Sequence, residues 1–392
     1  MRHIVKKLNR EFYMKKSLLA LVVTAATLST ANAANIYDKD GTSLKVDGRV
    51  QALFLSGSNG KAGVNDSTLQ NSARFGIGGA TKLSFVTLSG YSQWDMADGS
   101  SKKGDTISGR DQFVQADFGS FGALKAGRYK GAATYVSGLT DVYDDFGCNA
   151  QSANDERNSG RLEYSFSNSG FDLKLGGLFS NDDYKLENGF SKHKKVDVEG
   201  GATIAAGYTI DSLPVIDSLT IRAAYEMIKG QNDKAAGTLD YINDLDKVNS
   251  ALVGVAVGNA QSGFYSALMY NTRDFELKKI GSNQDKDLKT CGLEFAVGYA
   301  FDCGVNFKTG YNVISYEQDG TGDKYGNDKL DYTLKSIPVY LNYKINPNFN
   351  VWAEARFDVT NEKDMKGLNA YKVNAPYLKD KNYAEIGARY SF

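Results

Sequence analysis

The chain has 392 residues, with 46 Lys and Arg against 46 Asp and Glu, and it is rich in Gly (41), Tyr (24) and Phe (20) but poor in Pro (4). After residue 33 no stretch has the roughly 18 uninterrupted apolar residues that a transmembrane helix requires, which excludes a helical membrane protein. This composition leaves two main classes, a secreted all-β protein or an outer-membrane barrel.

The first predicted element is a Sec-type signal peptide over residues 1–33. It has a basic start at Lys15-Lys16, a short apolar run over 18–28 and a small-x-small cleavage site at Ala31-Asn32-Ala33. The apolar run is too short for a membrane span. We expect translation to start at Met14, with a longer basic leader as the alternative. The chain is therefore predicted to be exported through the inner membrane and to lose this peptide.

The expected mature chain, residues 34–392, is mildly acidic. Removing residues 1–33 takes away six basic residues and one acidic residue, which leaves 40 basic against 45 acidic residues and a net charge near −5. Proteins that bind nucleic acid usually carry the opposite charge on their binding surface. This balance argues against a nucleic acid partner.

The three cysteines, Cys148, Cys291 and Cys303, are predicted to be free thiols. Three is an odd number, so at least one of them lacks a partner within the chain. Cys291 and Cys303 fall at opposite ends of one predicted strand, too far apart for a disulfide. A bridge to another chain is the alternative that the sequence leaves open.

Alternation of apolar and polar residues predicts β-strands along nearly the whole mature chain. In the last segment, Ala384, Ile386 and Ala388 alternate with polar residues or glycine. A period of two is typical of strands and not of amphipathic helices. Sixteen strands are predicted, at 43–55, 72–82, 84–97, 109–118, 123–130, 159–168, 171–183, 200–211, 218–229, 248–258, 262–273, 290–301, 304–317, 332–344, 348–360 and 382–392.

The lengths of the connections decide between a soluble sandwich and a membrane barrel. A sandwich predicts strands of about five or six residues joined by tight hairpins. Here longer strands are joined by short turns, such as 302–304 and 345–347, that alternate with long polar loops, such as 184–199 and 230–247. This rhythm is typical of an outer-membrane barrel, which closes because lipid tolerates no open sheet edge. This pattern predicts that residues 34–392 form one all-β domain, a sixteen-stranded antiparallel transmembrane β-barrel with an aqueous lumen.

The alternation is blurred in two predicted strands, 109–118 and 200–211, and the first of them carries candidate site residues. If Phe113 points outward, three polar residues point outward with it: Asp111, Gln115 and Asp117. Polar groups on the outer face suit a subunit interface or the barrel rim better than lipid. On this phase Arg110 points into the lumen.

Several charged side chains are predicted to meet inside the barrel. The arginines on the inward phase of the early strands are Arg49, Arg74, Arg110, Arg157 and Arg161. The stretch GLTDVYDDFGCNAQ at 138–151, between the fifth and sixth strands, carries Asp141, Asp144 and Asp145. Opposed charges across a narrow water path create a transverse field and set ion preference. The residues alone leave open whether these groups form a constriction or are ordinary lumen and loop residues.

Four segments resemble the general diffusion porins of Gram-negative bacteria, enterobacterial type. They are ANIYDKDG at 34–41, GYSQWDM at 90–96, LKAGRYKG with LTDVYDDFG within 124–147, and the terminal RYSF. The aromatic terminal strand is shared by many outer-membrane barrels, whereas the LTD…FG segment is specific to porins with an inward-folded third loop. The resemblance is densest over 34–170 and at the C-terminus.

The resemblance implies a fold, a function and a set of partners. It implies homotrimers of sixteen-stranded barrels in the outer membrane, surrounded by lipid and lipopolysaccharide and inserted by the barrel assembly machinery. It also implies passive diffusion of small hydrophilic solutes and ions, without a cofactor or metal. The third loop, about 131–158, would fold into the lumen and narrow it.

The resemblance also assigns residues by matching position. The family's basic wall cluster falls on Arg49, Arg74, Arg110 and Arg157, and its acidic loop residues fall on Asp141 and Asp145. Arg128, in the matched GRYKG, would anchor the loop or the trimer. The chain departs from the family at Asp144, where the family commonly has Pro, and at Cys148, where it has a second Gly. Asp144 is therefore expected to be an additional acidic group, and the Cβ of Cys148 puts the loop path in question.

Other functions are weighed by the motifs that they need. Catalysis is not expected, because the mature chain has one histidine, His193, and no G-x-S-x-G motif. The loop EQDGTGDKYGND at 317–328 lacks the spacing of a calcium loop. A substrate-specific porin and a surface receptor or adhesin barrel stay open as alternatives. The net charge and the loop aspartates predict a mild preference for cations.

Overall fold

The computed structural model describes residues 33–56, 68–96, 107–148, 150, 157–186, 195–214, 216–231, 245–277, 287–318, 330–361, 365–366 and 382–392. Within them nineteen strands form one sheet, and one short α-helix, α1 (Thr134–Ser137), lies in a connection. No helix in these ranges is long and apolar enough to cross a membrane. The predicted signal peptide lies outside the described residues, apart from Ala33.

The strands are antiparallel and follow one another around the sheet. In chain order they are β1 (Ala34–Lys39), β2 (Thr42–Ser56), β3 (Thr68–Lys82), β4 (Thr87–Met96), β5 (Ile107–Asp117), β6 (Ala123–Tyr129), β7 (Asn158–Asn168), β8 (Phe171–Leu178), β9 (Asn181–Lys185), β10 (Lys195–Asp211), β11 (Ser218–Gly230), β12 (Leu245–Asn259), β13 (Ser262–Leu277), β14 (Leu288–Ala300), β15 (Val305–Gln318), β16 (Leu330–Asn346), β17 (Phe349–Asp358), β18 (Met365–Lys366) and β19 (Tyr383–Ser391). Three of them, β1, β9 and β18, are short additions, and the other sixteen form a closed barrel. The predicted fold class is confirmed.

The barrel closes between β19 and β2. These strands pair antiparallel, and next to the last pair, Ser391 with Arg49, the backbones of Phe392 and Gly48 exchange two hydrogen bonds, of 2.9 and 2.8 Å. A side chain at Gly48 would collide with the Phe392 ring, so the close approach requires glycine there. β1 pairs with the remaining part of the same edge of β2. The backbone amides of β2 are therefore paired on both sides, as a wall in lipid requires.

The connections alternate in length around the barrel. At one end they have two to six residues, as at 169–170 between β7 and β8 and at 347–348 between β16 and β17. At the other end they have ten or more, and the longest, 130–157, joins β6 to β7. Short connections face the periplasm in outer-membrane barrels, and long ones face the exterior. The predicted rhythm is confirmed.

Side chains alternate between an apolar outer face and a largely polar inner face. On β19, Ile386 is 65% exposed whereas the adjacent Glu385 is 3% exposed. On β14, Phe295 is exposed whereas the adjacent Glu294 is fully buried. Apolar side chains on the outside of such a barrel face lipid, and the inward groups line the lumen. The alternation predicted for these strands is confirmed.

The phase predicted for β5 is wrong. Val114 is 64% exposed on the outer face, and Phe113 points inward, where its ring lies 5.7 Å from that of Tyr91. The three polar residues predicted to face outward therefore face the lumen: Asp111, Gln115 and Asp117. The outer face of this strand carries Val114 together with the exposed Gln112.

A β-bulge in β5 explains the error. The register shifts between Ser92 and Trp94 of β4, so that two β5 residues, Arg110 and Asp111, oppose the single Gln93. The additional residue reverses the alternation on one side of the bulge. Residues three positions apart lie on opposite faces of a regular strand. Because of the bulge, Arg110 and Phe113 both point into the lumen.

The remaining differences concern strand ends. The predicted strand 84–97 begins at Thr87, because 83–86 form the turn. The predicted strand 171–183 ends at Leu178, and the residues after it form β9, which pairs with β10. The sequence does not predict β1, which folds back on β2 through a turn at Asp40-Gly41.

Candidate functional site

The segment between β6 and β7 folds into the barrel, which confirms the inward-folded third loop. On α1, Val136 is fully buried, and it packs together with Ala132 and Ala133. Their apolar partners are inward residues of four wall strands: Ala205, Ala224, Leu252 and Met269. This contact removes apolar surface from water and fixes the first part of the loop on the wall.

Wall side chains also bind the loop backbone further along. The Tyr265 hydroxyl donates to the carbonyl oxygen of Leu139 at 2.6 Å, and Lys308 Nζ donates to the carbonyl oxygen of Val142 at 2.8 Å. Buried backbone carbonyls need such donors because water does not reach them. The loop therefore follows the inner face from β11 toward β15.

Two buried glutamates hold the second half of the loop. Glu294 on β14 accepts hydrogen bonds from Thr140 Oγ1 at 2.5 Å and from the Ala150 N–H at 2.8 Å. These donors are separated by ten residues of loop, so one carboxylate joins two distant points of it. Buried carboxylates require such donors, since an unpartnered one costs several kcal/mol.

Glu354 on β17 holds the tip of the loop. Its carboxylate accepts the backbone N–H groups of Asp144 (3.0 Å), Asp145 (3.0 Å) and Phe146 (2.6 Å). Successive N–H groups that converge on one anion form a nest, and hydrogen bonds to a charged acceptor are about twice as strong as neutral ones. The tip therefore has a defined position relative to β17.

Asp144 is bound to the strand that closes the barrel. Arg389 on β19 donates through one terminal nitrogen to both carboxylate oxygens, at 2.8 and 2.7 Å. Its Nε donates to Gln51 Oε1 at 2.8 Å, and its guanidinium lies 4.7 Å from the Trp352 ring. The side chains of the ion pair are only 17% and 16% exposed, so salt screens the pair weakly. The additional acidic group thus has its own counter-charge.

Asp145 lies beside Asp144 at the same tip. Burial, and then the charge of Asp144, raise the pKa of the Asp145 carboxyl above its ordinary value, while Arg49 and Arg389 act in the opposite direction. A raised pKa means that the neutral carboxyl persists to higher pH than in an exposed aspartate. The charge at the tip therefore depends on pH.

Asp141 occupies a different place on the loop. Its Oδ1 lies 3.5 Å from Cys148 Sγ, and its charge acts on Glu294 of β14. The structure thus brings Asp144 and Asp145 together at the tip and leaves Asp141 apart from them, close to Glu294 of β14. The predicted role of Asp141 in the constriction stays a prediction.

The opposite wall carries alternating charges. Arg74 Nε on β3 donates to Asp95 Oδ1 at 2.8 Å, and Arg110 on β5 donates to Asp95 Oδ2 at 2.7 Å. Arg157 Nε donates to Asp111 at 3.0 Å. The carboxylates between the arginines offset the mutual repulsion of the guanidinium groups.

Arg49 lies between this wall and the loop tip. It is directly opposite Arg74 on β3 and Ser391 on β19. The charged groups that act on it include Arg389, Arg74, Asp144 and Arg110, and Asp145 lies within the same electrostatic range. Four of the predicted arginines, Arg49, Arg74, Arg110 and Arg157, therefore form one row around the lumen.

Two further arginines lie apart from that row. Arg161 is 6% exposed, donates to the Tyr184 hydroxyl at 3.1 Å and lies against Gly131 at the base of the loop. Arg128 Nε donates to the carbonyl oxygen of Arg110 at 3.1 Å. The predicted roles of Arg161 in the constriction and of Arg128 in anchoring stay predictions.

Three residues of the site were not predicted from the sequence: Arg389, Glu354 and Asp95. All three lie on the inward phase of predicted strands, so the alternation marks them as lumen residues. It does not show their partners, because the pair of Asp144 with Arg389 spans 245 residues and the bond from Asp144 to Glu354 spans 210. Contacts that distant depend on the closure of the barrel.

Possible metal ligands and the cysteines complete the description of the site. Across the ranges that the structure describes, no group of three or more His, Cys, Asp or Glu side chains is placed to hold a metal ion, and His193 lies outside those ranges. Cys148, Cys291 and Cys303 form no disulfide among the described residues. Cys148 has a φ of 56°, the left-handed conformation that glycine favours. The loop thus adopts this conformation despite the Cβ of Cys148.

The site as a whole is an arrangement of charge, with acidic groups on the loop tip and basic groups on the wall. Low-dielectric walls focus the field between such groups. A polar solute can orient in that field and keep its hydration, whereas an apolar solute must displace ordered water. The arrangement can therefore sort solutes by charge and polarity without a chemical step.

Comparison with known sequences identifies relatives along nearly the whole chain. A sequence model of the family described as Gram-negative porin matches residues 39–392. Outer membrane porin F of Salmonella typhi is 27% identical over 394 residues, which cover 97% of this chain and 100% of that protein. The similarity therefore extends over the complete barrel.

Solved structures share the fold. Salmonella typhi OmpF in complex with daunomycin superposes with a TM-score of 0.70 at 20% identity, covering 92% of this chain and all of that one. The trimer form of OmpT from Vibrio cholerae gives a TM-score of 0.61 at 16% identity, covering 90% and 100% of the two chains. At these identities the likeness shows the fold alone.

Proposed function

Because the chain belongs to the Gram-negative porin family, it is an outer-membrane channel for passive diffusion of small hydrophilic solutes and ions, and we propose that its charged constriction selects among them. The observation that carries this proposal is the loop tip. Glu354 holds Asp144 and Asp145 inside the barrel, beside the arginines of the wall. Selection then needs no binding protein and no energy source.

The proposed selection rests on the transverse field. A solute that passes between the loop tip and the wall meets carboxylates on one side and guanidinium groups on the other. Dipolar or charged solutes gain electrostatic energy there, and apolar ones lose hydration without compensation. We propose no catalytic activity for this site.

A planar lipid bilayer tests the channel. Purified protein is expected to give stable stepwise conductance in KCl, and addition of larger hydrophilic solutes is expected to reduce it as they enter the pore. Absence of steady conductance would overturn the proposal and favour a receptor or adhesin barrel. Saturable block by one sugar, with other solutes of that size ineffective, would favour a substrate-specific porin.

We propose that the channel is a homotrimer. The outer face of β2–β7 carries a concave apolar groove of about 660 Å³. Small side chains and leucines line it, among them Gly79, Gly90, Ala116, Ala126, Leu88 and Leu124. Small residues let two backbones approach closely inside a membrane, and the OmpT relative is known in a trimer form. The occupant proposed for this groove is a second copy of the chain.

The oligomeric state is measured in detergent. Sedimentation or light scattering of the purified protein is expected to give three chains per particle, and conductance is expected to rise in groups of three steps. A single chain per particle in detergent, together with single conductance steps in the bilayer, would contradict the trimer. The proposed channel function would not be affected.

The remaining partners follow from the outer-membrane location. We propose that lipid and lipopolysaccharide surround the apolar outer face and that the barrel assembly machinery inserts the chain. The predicted export by a cleaved signal peptide, residues 1–33, belongs to the same proposal. Amino-terminal sequencing of the purified protein is expected to begin at Ala34.

A further inference from the structure

A row of polar side chains crosses the inner wall beside the start of the third loop. Its members lie directly opposite one another on five adjacent strands, β10 to β14: Thr203, Glu226, Ser250, Arg273 and Thr290. Each of them is 9% exposed or less. Burial of a polar group without a hydrogen bond costs free energy, so a buried row of this kind requires partners for its members.

Apolar side chains enclose the row on both sides. Toward the exterior, two residues further along their strands, lie Ile228 and Val248, which belong to a buried apolar cluster. On the other side lie Ala205, Ala224 and Leu252, against which the start of the third loop packs. The loop and the apolar side chains thus separate the polar row from the main path of the lumen.

Three side chains of this region have polar atoms without a protein partner. Across the described residues, Glu226 Oε1, Ser250 Oγ and Arg161 Nε are buried and take part in no hydrogen bond. Glu226 lies directly opposite Ser250, so their β-carbons are about 4.5–5.5 Å apart. The charge of Glu226 also acts on Arg161, although no ion pair joins these two side chains in the described ranges. A donor and an acceptor of opposite charge therefore lie near each other without direct contact.

Water fits these groups better than an ion does. A cation would lie close to the guanidinium of Arg161, and an anion would lie close to the carboxylate of Glu226, so each would meet a like charge in a buried region. Water is neutral and has both kinds of group: it accepts from Arg161 Nε and donates to Glu226 Oε1, while Ser250 Oγ serves as either partner. Buried waters in proteins typically make about three hydrogen bonds of this kind.

We propose that this region is a site for ordered water, which joins Arg161 of β7 to Glu226 of β11 and thereby holds the base of the third loop. Arg161 contacts the loop, since a side chain at Gly131 would collide with its guanidinium. Its Nη2 donates to the buried Tyr184 hydroxyl, which leaves Nε for the water. Arg161 and Glu226 are thus positioning residues. The inference goes beyond the proposed channel function, because the water is bound whether or not the protein conducts.

A crystal structure of the purified protein tests the water directly. At a resolution that shows ordered water, electron density for water is expected within about 3.2 Å of Arg161 Nε and of Glu226 Oε1, as one molecule or as a hydrogen-bonded chain. Absence of water at both atoms, or a direct ion pair between the two side chains, would overturn the proposal.

Single-channel recordings test the effect on the loop. Arg161→Gln and Glu226→Gln each leave one buried charge without its counterpart, and each is expected to increase the current fluctuations several-fold. The double variant has two neutral amides that bind the same water, so its fluctuations are expected to return to the level of the unaltered channel. The matched control is Glu163→Gln, because Glu163 also points inward on β7 but forms direct ion pairs with Lys125 and Lys174. Combined with Arg161→Gln, it is expected to give no such return.

The outcomes separate this inference from the channel function. No return in the double variant overturns the link between Arg161 and Glu226. A return with Glu163→Gln overturns it as well, since the effect would then reflect only the total charge. If a variant does not form a barrel, the crystal structure of the unaltered protein still decides the proposal. An unaltered protein that does not conduct contradicts the channel and leaves the crystallographic result in force.

Discussion

At the scale of the residue, Glu354 determines the position of the loop tip. One carboxylate accepts three successive backbone N–H groups, and each hydrogen bond to a charged group contributes about 1.5–3 kcal/mol. No other side chain in the described residues is shown to bind all three of these groups. The shape of the constriction thus depends on a residue that is only 2% exposed.

Glu354→Gln is expected to loosen the tip. An amide presents one oxygen in place of two and points its own N–H groups at donors, so at least about 2 kcal/mol of anchoring is lost. Single-channel recordings are expected to show several-fold larger current fluctuations. The control is Glu385→Gln on the neighbouring strand, directly opposite Glu354. This glutamate accepts a hydrogen bond from the Trp352 indole N–H on the wall, so its substitution makes the same chemical change without removing the three bonds to the loop tip. Equal noise in both variants would contradict this role.

The raised pKa of Asp145 predicts a pH dependence of ion selectivity. Because the folded-state pKa lies above the ordinary value of about 3.9, protonation begins at higher pH than for an exposed aspartate. As the pH falls, the tip therefore loses negative charge earlier than an exposed aspartate would, and the reversal potential in a KCl gradient is expected to move toward anions. Asp145→Asn is expected to remove this shift. A variant that retains the full shift would assign it to another group.

Residue-level prediction from the sequence succeeds for the direction of side chains and fails for their partners. Arg49 and Arg74 are placed correctly because alternation fixes the inward face of a strand. Arg389 was on that face as well, but its pairing with Asp144 depends on the path of a loop that alternation does not describe. The conformation of Cys148, with φ at 56°, is likewise set by the loop and not by its own preference.

At the scale of the element, α1 seats the loop on the wall. Val136 is fully buried among apolar wall residues, and burial of one valine side chain contributes about 2 kcal/mol. The short helix has one turn, which is too short to be stable by itself. Its structure therefore depends on the wall against which it packs.

Val136→Asp is expected to detach this part of the loop. The barrel strands do not depend on it, so far-UV circular dichroism is expected to stay unchanged while single-channel conductance increases. Val136→Ala loses about 1.5 kcal/mol of apolar burial. Its single-channel conductance is expected to lie between that of the unaltered protein and that of Val136→Asp. A conductance that does not change in Val136→Asp would show that the polar anchors hold the loop without this contact.

The strands were predictable and the bulge was not. Sixteen strands are visible in the sequence because one face of each meets lipid and the other meets water, which imposes a period of two on composition. The bulge at Arg110 and Asp111 inserts one residue without changing composition. The sequence therefore predicts the alternation on each side of it but not the point at which the phase changes.

At the scale of the whole molecule, the groove on the outer face of β2–β7 predicts where copies of the chain meet. Ala116→Leu is expected to overfill that groove and weaken the trimer by about 1–3 kcal/mol, measured as the fraction of trimer in detergent on heating. The matched control is Ala251→Leu on the exposed outer face of β12, which is expected to leave the trimer unchanged. Equal weakening in both variants would place the interface elsewhere.

The barrel and its restriction are completed by the same strand. β19 supplies the last backbone pairing of the wall, and its Arg389 holds the loop tip. Before β19 pairs with β2, the wall has an open edge, although Glu354 on β17 can already bind the loop tip. During assembly, the strand that seals the wall therefore also adds the ion pair of Arg389 with Asp144 to a tip that the earlier strands hold.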